Sequence, residues 1–296
     1  MITAFGAAVT PDGRLTKGSS TALAPWWSFT KTLIAACTLR LVEQGRLALD
    51  AKVAGASYTL RQLLQHRAGV GNYGSLADYH SAVARGDPPW SHAELFARIP
   101  PGRLLFAPDR GWAYSNVGYL ILRRQIEEVC GEGLAHALRR LVLHPLGLEA
   151  ARLAETTADM DATTFAGGHG YDPGWVYHGT VVGPVAEAAL ALHRLLEGGL
   201  LKPSSLAAML QRHPLGGPLP DRPWRTTGYG LGVMIGTMSH PGLEKPVEVV
   251  GHSAGGPGSV GAVYRAKGTG GTAAVFAAGT SDGVVENQAL ALITTA

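Results

Sequence analysis

Three short stretches carry side chains whose types and spacing suit acyl-transfer chemistry. The first is Ser28-Phe29-Thr30-Lys31. At the start of a helix, positions i and i+3 share one face, so the lysine nitrogen reaches the serine oxygen. A serine there also meets free backbone N–H groups and the positive end of the helix dipole, both of which favour a developing oxyanion. The same four residues suit equally an N-cap serine followed by a solvated first-turn lysine. The second stretch is Tyr114-Ser115-Asn116. A phenol acts as a base where nearby positive charge lowers its pKa, and an amide can hold both a substrate carbonyl and Lys31. A packed tyrosine beside an N-cap asparagine is the plain alternative. The third is His252-Ser253-Ala254. On a strand it offers an edge to an extended acyl substrate, with the N–H of Gly255 as a second oxyanion donor opposite that of Ser28.

The third stretch also lies within GHSAG (251–255), which fits the G-x-S-x-G elbow of α/β-hydrolases. An elbow serine needs a histidine later in the chain to take its proton. His252 is the last of 11 histidines, so Ser253 has no such partner and Ser28 is the better nucleophile. Other polar residues have simpler roles. Asp159 and Asp161 form a D-x-D without an acidic or histidine neighbour, which fits a solvated loop and no metal site. His66 and His144 sit in loop text as local hydrogen-bonders, and Glu127 and Glu128 near a helix end are surface charges. In GGHGYDPGW (167–175), His169, Tyr171 and Trp175 are candidates for a cleft rim.

Elements must bring these stretches together. ITAFGAAVT (2–10) before PDG reads as a strand entering a turn. Residues 28–45 carry Leu33, Ile34, Cys37, Leu41 and Val42 at helical spacing, ending at Gly45. Further helices are predicted at 59–66, 91–99, 117–130 behind Asn116, 133–141, 185–198 and 203–212. From about residue 228 the text changes to short β-prone runs (YGLGVMIGTM, PVEVVGHS, GSVGAVYRA, TAAVFAAGT), with a closing helix at 282–294. Strands at both ends and helices between predict an α+β chain whose terminal segments share one antiparallel sheet.

Composition narrows the function classes. With 296 residues, 46% hydrophobic and 16% charged, the chain is globular. A net charge of +3 with scattered lysines and arginines gives no stripe for phosphate backbones, so no nucleic-acid partner is expected. Cys37 and Cys130 lie in apolar helical text and imply no disulfide. No apolar run of roughly 18 residues suggests a membrane span. The first residues lack a basic region followed by an apolar core, so a cytoplasmic product is expected.

Taken in order, S-x-x-K, Y-x-N and the H-S-A strand resemble the motifs of the penicillin-recognising serine hydrolases: class C β-lactamases, DD-peptidases and related esterases. The flanking segments LRLVEQGRLALDAKV, TLRQLLQHRAGV, FAPDRGWAYSNVGYLIL, LHPLGL, YGLGV and GHSAGGPG resemble that family in the same order, from about residue 20 to the C-terminus. The resemblance implies a β-lactamase/transpeptidase-like fold: an antiparallel sheet from residues 1–27 and 228–296, flanked by helices, plus a mostly helical domain. It places the domains at 1–58 with 211–296 and at 59–210, and the active site between them. It implies acylation of Ser28, proton work by Lys31 and Tyr114, an oxyanion hole from Ser28 and Gly255, and substrate contacts from Asn116, His252, Ser253 and Ala254. No metal or organic cofactor is implied. The expected substrate is a small ester or a D-amino-acid amide or peptide, with weak β-lactamase activity beside it; the alternative is a weakened member kept as a binding or scaffolding module. Three departures stand out. Ala254 replaces the usual glycine and would narrow the cleft, Arg67 and Ala68 replace Thr and Ser in a loop expected to form one wall, and only 27 residues precede Ser28.

Overall fold

In the computed structural model, which describes residues 4–241 and 243–295, the two ends of the chain do meet in one antiparallel sheet. The strands are β1 (Ala4–Val9), β2 (Leu23–Pro25), β3 (Arg152–Leu153), β4 (Val181–Pro184), β5 (His213–Gly216), β6 (Trp224–Tyr229), β7 (Met234–Met238), β8 (Val247–Gly256), β9 (Ser259–Ala266) and β10 (Thr272–Ala278). Seven of them form the large sheet in the order β1-β10-β9-β8-β7-β6-β5. The helices are α1 (Thr30–Glu43), α2 (Leu60–Leu64), α3 (Ala77–Arg85), α4 (His92–Arg98), α5 (Asn116–Cys130), α6 (Leu134–Leu138), α7 (Thr157–Asp161), α8 (Val185–Leu196), α9 (Pro203–Leu210) and α10 (Asp282–Thr295). Among the described residues, no helix is long and apolar enough to cross a membrane.

Alternation along the strands divides the sheet into two packed faces. On β10, Ala274 and Phe276 join the core that holds α1 and α8, while Ala273, Val275 and Ala277 pack with Val285, Ala289, Leu290 and Ile293 of α10. Helix α1 is the centre of the first core. Ten consecutive residues from Thr30 to Leu39 are buried, which its nearly continuous small and apolar text permits. Helices α5, α6 and α9 pack around it.

Two expectations need correction. Residues 1–27 do not all join the large sheet: β2 instead pairs with β4 in a separate three-stranded sheet with β3. The indole of Trp26 donates to the Gly183 carbonyl (3.2 Å) and anchors it there. YGLGVMIGTM is not one strand but the end of β6, a reversal and β7. Gly232 makes that reversal with φ +73°, where a Cβ would lie 2.5 Å from the Ala35 Cβ and 2.8 Å from the Lys31 carbonyl oxygen. The hairpin tip thus presses on α1, beside the lysine, at a place only glycine fits.

Candidate active site

Ser28 sits in a single 3₁₀ turn, Trp27–Phe29, directly ahead of α1. Trp27 has φ +37°, a left-handed conformation that costs a residue with a side chain roughly 1–3 kcal/mol. Its surroundings hold it there. The indole is 2% exposed, donates to Ser259 Oγ at 2.9 Å, and lies so close to Gly256 that a Cβ on that glycine would sit 2.5 Å from the ring. The strained turn is thereby clamped against the β8–β9 hairpin, and Ser28 faces the end of β8.

Lys31 follows one turn later and is completely buried. Its Nζ is 3.2 Å from Ser28 Oγ and 2.9 Å from His178 Nε2. The Tyr114 and Tyr119 rings lie beside it, their centroids 4.9 and 5.6 Å away. Burial pushes its pKa well below the usual lysine range, favouring the neutral amine.

The nearby Ser28 hydroxyl lowers the pKa of Tyr114, but burial raises it more. The sequence-based expectation of a phenol made acidic by positive charge is therefore reversed: Tyr114 stays protonated. His66 fixes the segment that carries it. The two rings are 4.3 Å apart, and His66 Nδ1 accepts from the Ser115 N–H at 3.1 Å. Ser115, not Asn116, caps α5, its Oγ accepting from the Gly118 N–H at 2.9 Å. Asn116 is the first helical residue; its N–H donates to Asn72 Oδ1 (3.2 Å). Its own Oδ1 is sealed from solvent without a hydrogen-bond partner, so the expected Asn116–Lys31 bond is not made through that atom. His178 takes that place.

Strand β8 supplies the facing edge. It pairs with β7 only as far as Gly251, opposite Met234, so, among the described residues, 252–256 have no strand partner on that side. On the other side a two-residue hairpin joins Gly256 to Ser259. Flanking residues of such a hairpin exchange hydrogen bonds and the next pair, Gly255 and Val260, does not. The Gly255 N–H therefore turns away from β9, toward the free edge. His252 accepts from or donates to the Tyr229 hydroxyl at 2.8 Å through Nε2. Burial first, then the nearness of Lys31, pushes its pKa down to about 3, so it is neutral. Ser253 points to the opposite face of the strand. Its Oγ donates to Glu286, meets the Tyr264 hydroxyl at 2.6 Å and accepts from Arg222 Nη2 at 3.0 Å. It lies mid-strand and not on an elbow, in keeping with Ser28 as the better nucleophile.

Two cavities meet at Ser28 and Gly255. The larger, about 680 Å³, is lined by Trp112, Tyr114, Tyr229, Met234, His252, Ser253, Ala254, Arg222 and Asp282 among others. The smaller, about 170 Å³, is lined by Trp27, Tyr73, Tyr79, Asn116, Tyr171 and His178. Ser28, Lys31, Tyr114 and His252 thus converge, and Asn116, Ser253, Ala254 and Gly255 border the same space. Of the rim candidates, Tyr171 lines the smaller cavity, Trp175 is buried with its indole N–H on the Asp87 carbonyl, and His169 is bonded to the Thr163 carbonyl. Arg67 and Ala68 line neither cavity, so no wall is altered by them; Arg67 pairs with Asp109. Asp159, inside α7, completes the capping box of Thr156 by accepting from its N–H and pairs with Arg152, and Asp161 accepts from the Gly170 N–H.

Sequence reasoning missed His178, Tyr229, Arg222, Asp282 and Glu286. For His178 a signal existed: it lies three residues beyond the glycine-rich stretch 167–175, where β4 is about to begin.

A family profile described as Beta-lactamase matches residues 3–295. Esterase EstB from Burkholderia gladioli is 33% identical over 143 residues, covering 41% of this chain and 36% of that protein. Penicillin-binding protein 4 from Amycolatopsis lactamdurans is 28% identical over 161 residues, covering 48% and 37%. The matched segments span only about a third of the length of these curated relatives. Among solved structures, D-amino acid amidase from Ochrobactrum anthropi SV3 complexed with L-phenylalanine aligns with a TM-score of 0.79 at 20% identity, covering 99% of this chain and 94% of the other. D-stereospecific amidohydrolase from Streptomyces sp. aligns with a TM-score of 0.75 at 23% identity, covering 95% and 92%. At such identities the likeness is one of fold.

Proposed function

The chain belongs to the beta-lactamase family, and from that membership we propose a serine acyl hydrolase that works through an acyl-enzyme on Ser28. The observation that carries it is a buried amine, Lys31, 3.2 Å from a serine oxygen that borders both cavities. Ser28 Oγ attacks the substrate carbonyl carbon and its proton passes to Lys31 Nζ, the neutral amine acting as base. The oxyanion is held between the N–H groups of Ser28 and Gly255. As the tetrahedral intermediate collapses, the bond to the leaving group breaks. Tyr114, still a phenol, gives that group its proton and is resupplied from Lys31. Water then adds to the acyl carbonyl, loses a proton to the same pair, and displaces Ser28.

The substrates we propose are small esters and D-amino-acid amides or peptides. Support comes from the esterase and penicillin-binding relatives and from the amidase fold neighbours. Asn116, His252, Ser253 and Ala254 would bound the substrate, with the sheet (1–58, 211–296) on one side and the helical portion (59–210) on the other. The test is intact-mass labelling with a fluorophosphonate and a fluorescent penicillin, alongside turnover of p-nitrophenyl acetate, nitrocefin and a D-alanyl dipeptide. Label and turnover should vanish in Ser28→Ala and the label should persist in Ser253→Ala. The opposite pattern refutes the assignment of the nucleophile, and absence of both in the wild type would leave a binding module.

A further inference from the structure

The larger cavity has an electrostatic character that membership alone does not specify. Its lining contains two formally charged side chains, Arg222 and Asp282. Arg222 is already engaged. Its Nε donates to Glu286 Oε2 at 2.9 Å, its Nη2 to Glu286 Oε1 and to Ser253 Oγ, and its Nη1 lies 3.3 Å from Asp282. Glu286 is fully buried behind it and also accepts from the Trp224 indole. One guanidinium therefore faces two carboxylates, a formal excess of one negative charge, and the exposed member is Asp282, whose pKa burial raises.

The groups that would receive a substrate carboxylate are occupied. Ser253 Oγ has one proton and two lone pairs, and all three positions are used by Glu286, Tyr264 and Arg222. His252 and Lys31 are neutral when buried and add no positive charge. Asp282, by contrast, opens onto the same cavity as Ser28, its Oδ1 3.9 Å from where a Cβ on Gly255 would stand.

We propose that this site favours esters and amides bearing an ammonium group next to the scissile carbonyl over those bearing a carboxylate at that same position, with Asp282 as the residue that sets the choice. The inference rests on the assignment of Ser28 as the acylated residue. A like-for-like set isolates the charge: p-nitroanilides of alanine (ammonium), isobutyric acid (neutral) and methylmalonic acid (carboxylate), in both hands where chiral. The wild type should favour the ammonium compound over the neutral one by about tenfold or more in kcat/KM, the ratio that about 1.4 kcal/mol produces. The carboxylate compound should be the poorest. In Asp282→Asn the ammonium-to-neutral ratio should fall toward unity. A second measurement needs no variant: alaninamide should inhibit the wild-type hydrolysis of p-nitrophenyl butyrate better than isobutyrate does. Turnover without charge preference, or a preference that survives in Asp282→Asn, overturns this inference alone. Failure of all three anilides together with absent Ser28 labelling overturns the assignment of Ser28 and this inference with it.

Discussion

Replacing His178 by leucine tests how the base is aimed. A neutral amine has two N–H bonds and one lone pair. His178 Nε2 holds one N–H at 2.9 Å, and the lone pair is then free to receive the Ser28 proton across 3.2 Å. This arrangement requires the proton of His178 to sit on Nδ1, the buried nitrogen without a partner. Burial, followed by the nearby Lys31, pushes the pKa of His178 well below the usual range and keeps it neutral. Because Nε2 accepts from either form of Lys31, removing it weakens the protonated form more. A charge-assisted hydrogen bond is worth roughly 1.5–3 kcal/mol and a neutral one roughly 0.5–1.5. The difference of roughly 1–1.5 kcal/mol corresponds to about one pKa unit. In His178→Leu the acid limb of the kcat/KM profile should therefore move down by about one unit, and the plateau should fall about 10- to 100-fold as the amine loses its orientation. His178→Gln, which keeps an acceptor, should restore the position of the limb. The assay is hydrolysis of a p-nitrophenyl ester by wild type and both variants across pH. A limb that stays put with an unchanged plateau, or one that moves upward, refutes the positioning role.

Four further outcomes follow from the same geometry. Lys31→Met should abolish acylation yet raise thermal stability near neutral pH. An unfolded lysine stays protonated up to about pH 10.4 while the folded one gives up its proton far below that, so folding gains stability as pH rises through that window; the advantage of the variant, read by differential scanning calorimetry, should shrink toward pH 10. His66, His178 and His252 are all buried with lowered pKa values, that of His252 at about 3. Their contribution is complete above the unfolded value of about 6.5 and is lost as pH falls toward the lowered folded values, which for His252 means a loss of about 1.4 kcal/mol per pH unit on the way down to about 3; the urea midpoint should drop between pH 7 and 4, and less in His252→Gln. Gly256→Ala would drive a methyl to 2.5 Å from the Trp27 ring, so activity should fall about 100-fold through displaced Ser28, with a lower Tm as the second readout. Ala254→Gly should widen tolerance for bulky acyl groups along a p-nitrophenyl ester series; an unchanged chain-length profile would show that the methyl does not limit the cleft.

The parts of the site legible in the sequence are those written within a few residues of one another. Ser28 and Lys31 are one helical turn apart, and that spacing alone puts amine and hydroxyl in reach. Strands at both ends are legible because alternation and glycine punctuation are local too. The cap of α5 is ambiguous in the text because Ser115 and Asn116 are both capping residue types; Ser115 wins through the Gly71 carbonyl, which its hydroxyl contacts at 2.7 Å, and through His66, 49 positions away. The three residues of β2 carry too little pattern to reveal a partner such as β4. His178 lies 147 positions from Lys31, and Glu286 lies 64 from Arg222, so only the topology joins them. The same distance hides the sign of the field beside Ser28. The whole chain carries +3, yet the larger cavity is bordered by a guanidinium already matched to Glu286 and by the further carboxylate of Asp282. Exposed charges beyond about 10 Å are largely screened at ordinary ionic strength, while a partly buried carboxylate is screened less. On the proposal made above, substrate choice at this site follows the residue that the first turn of α10 presents more than the overall excess of lysine and arginine.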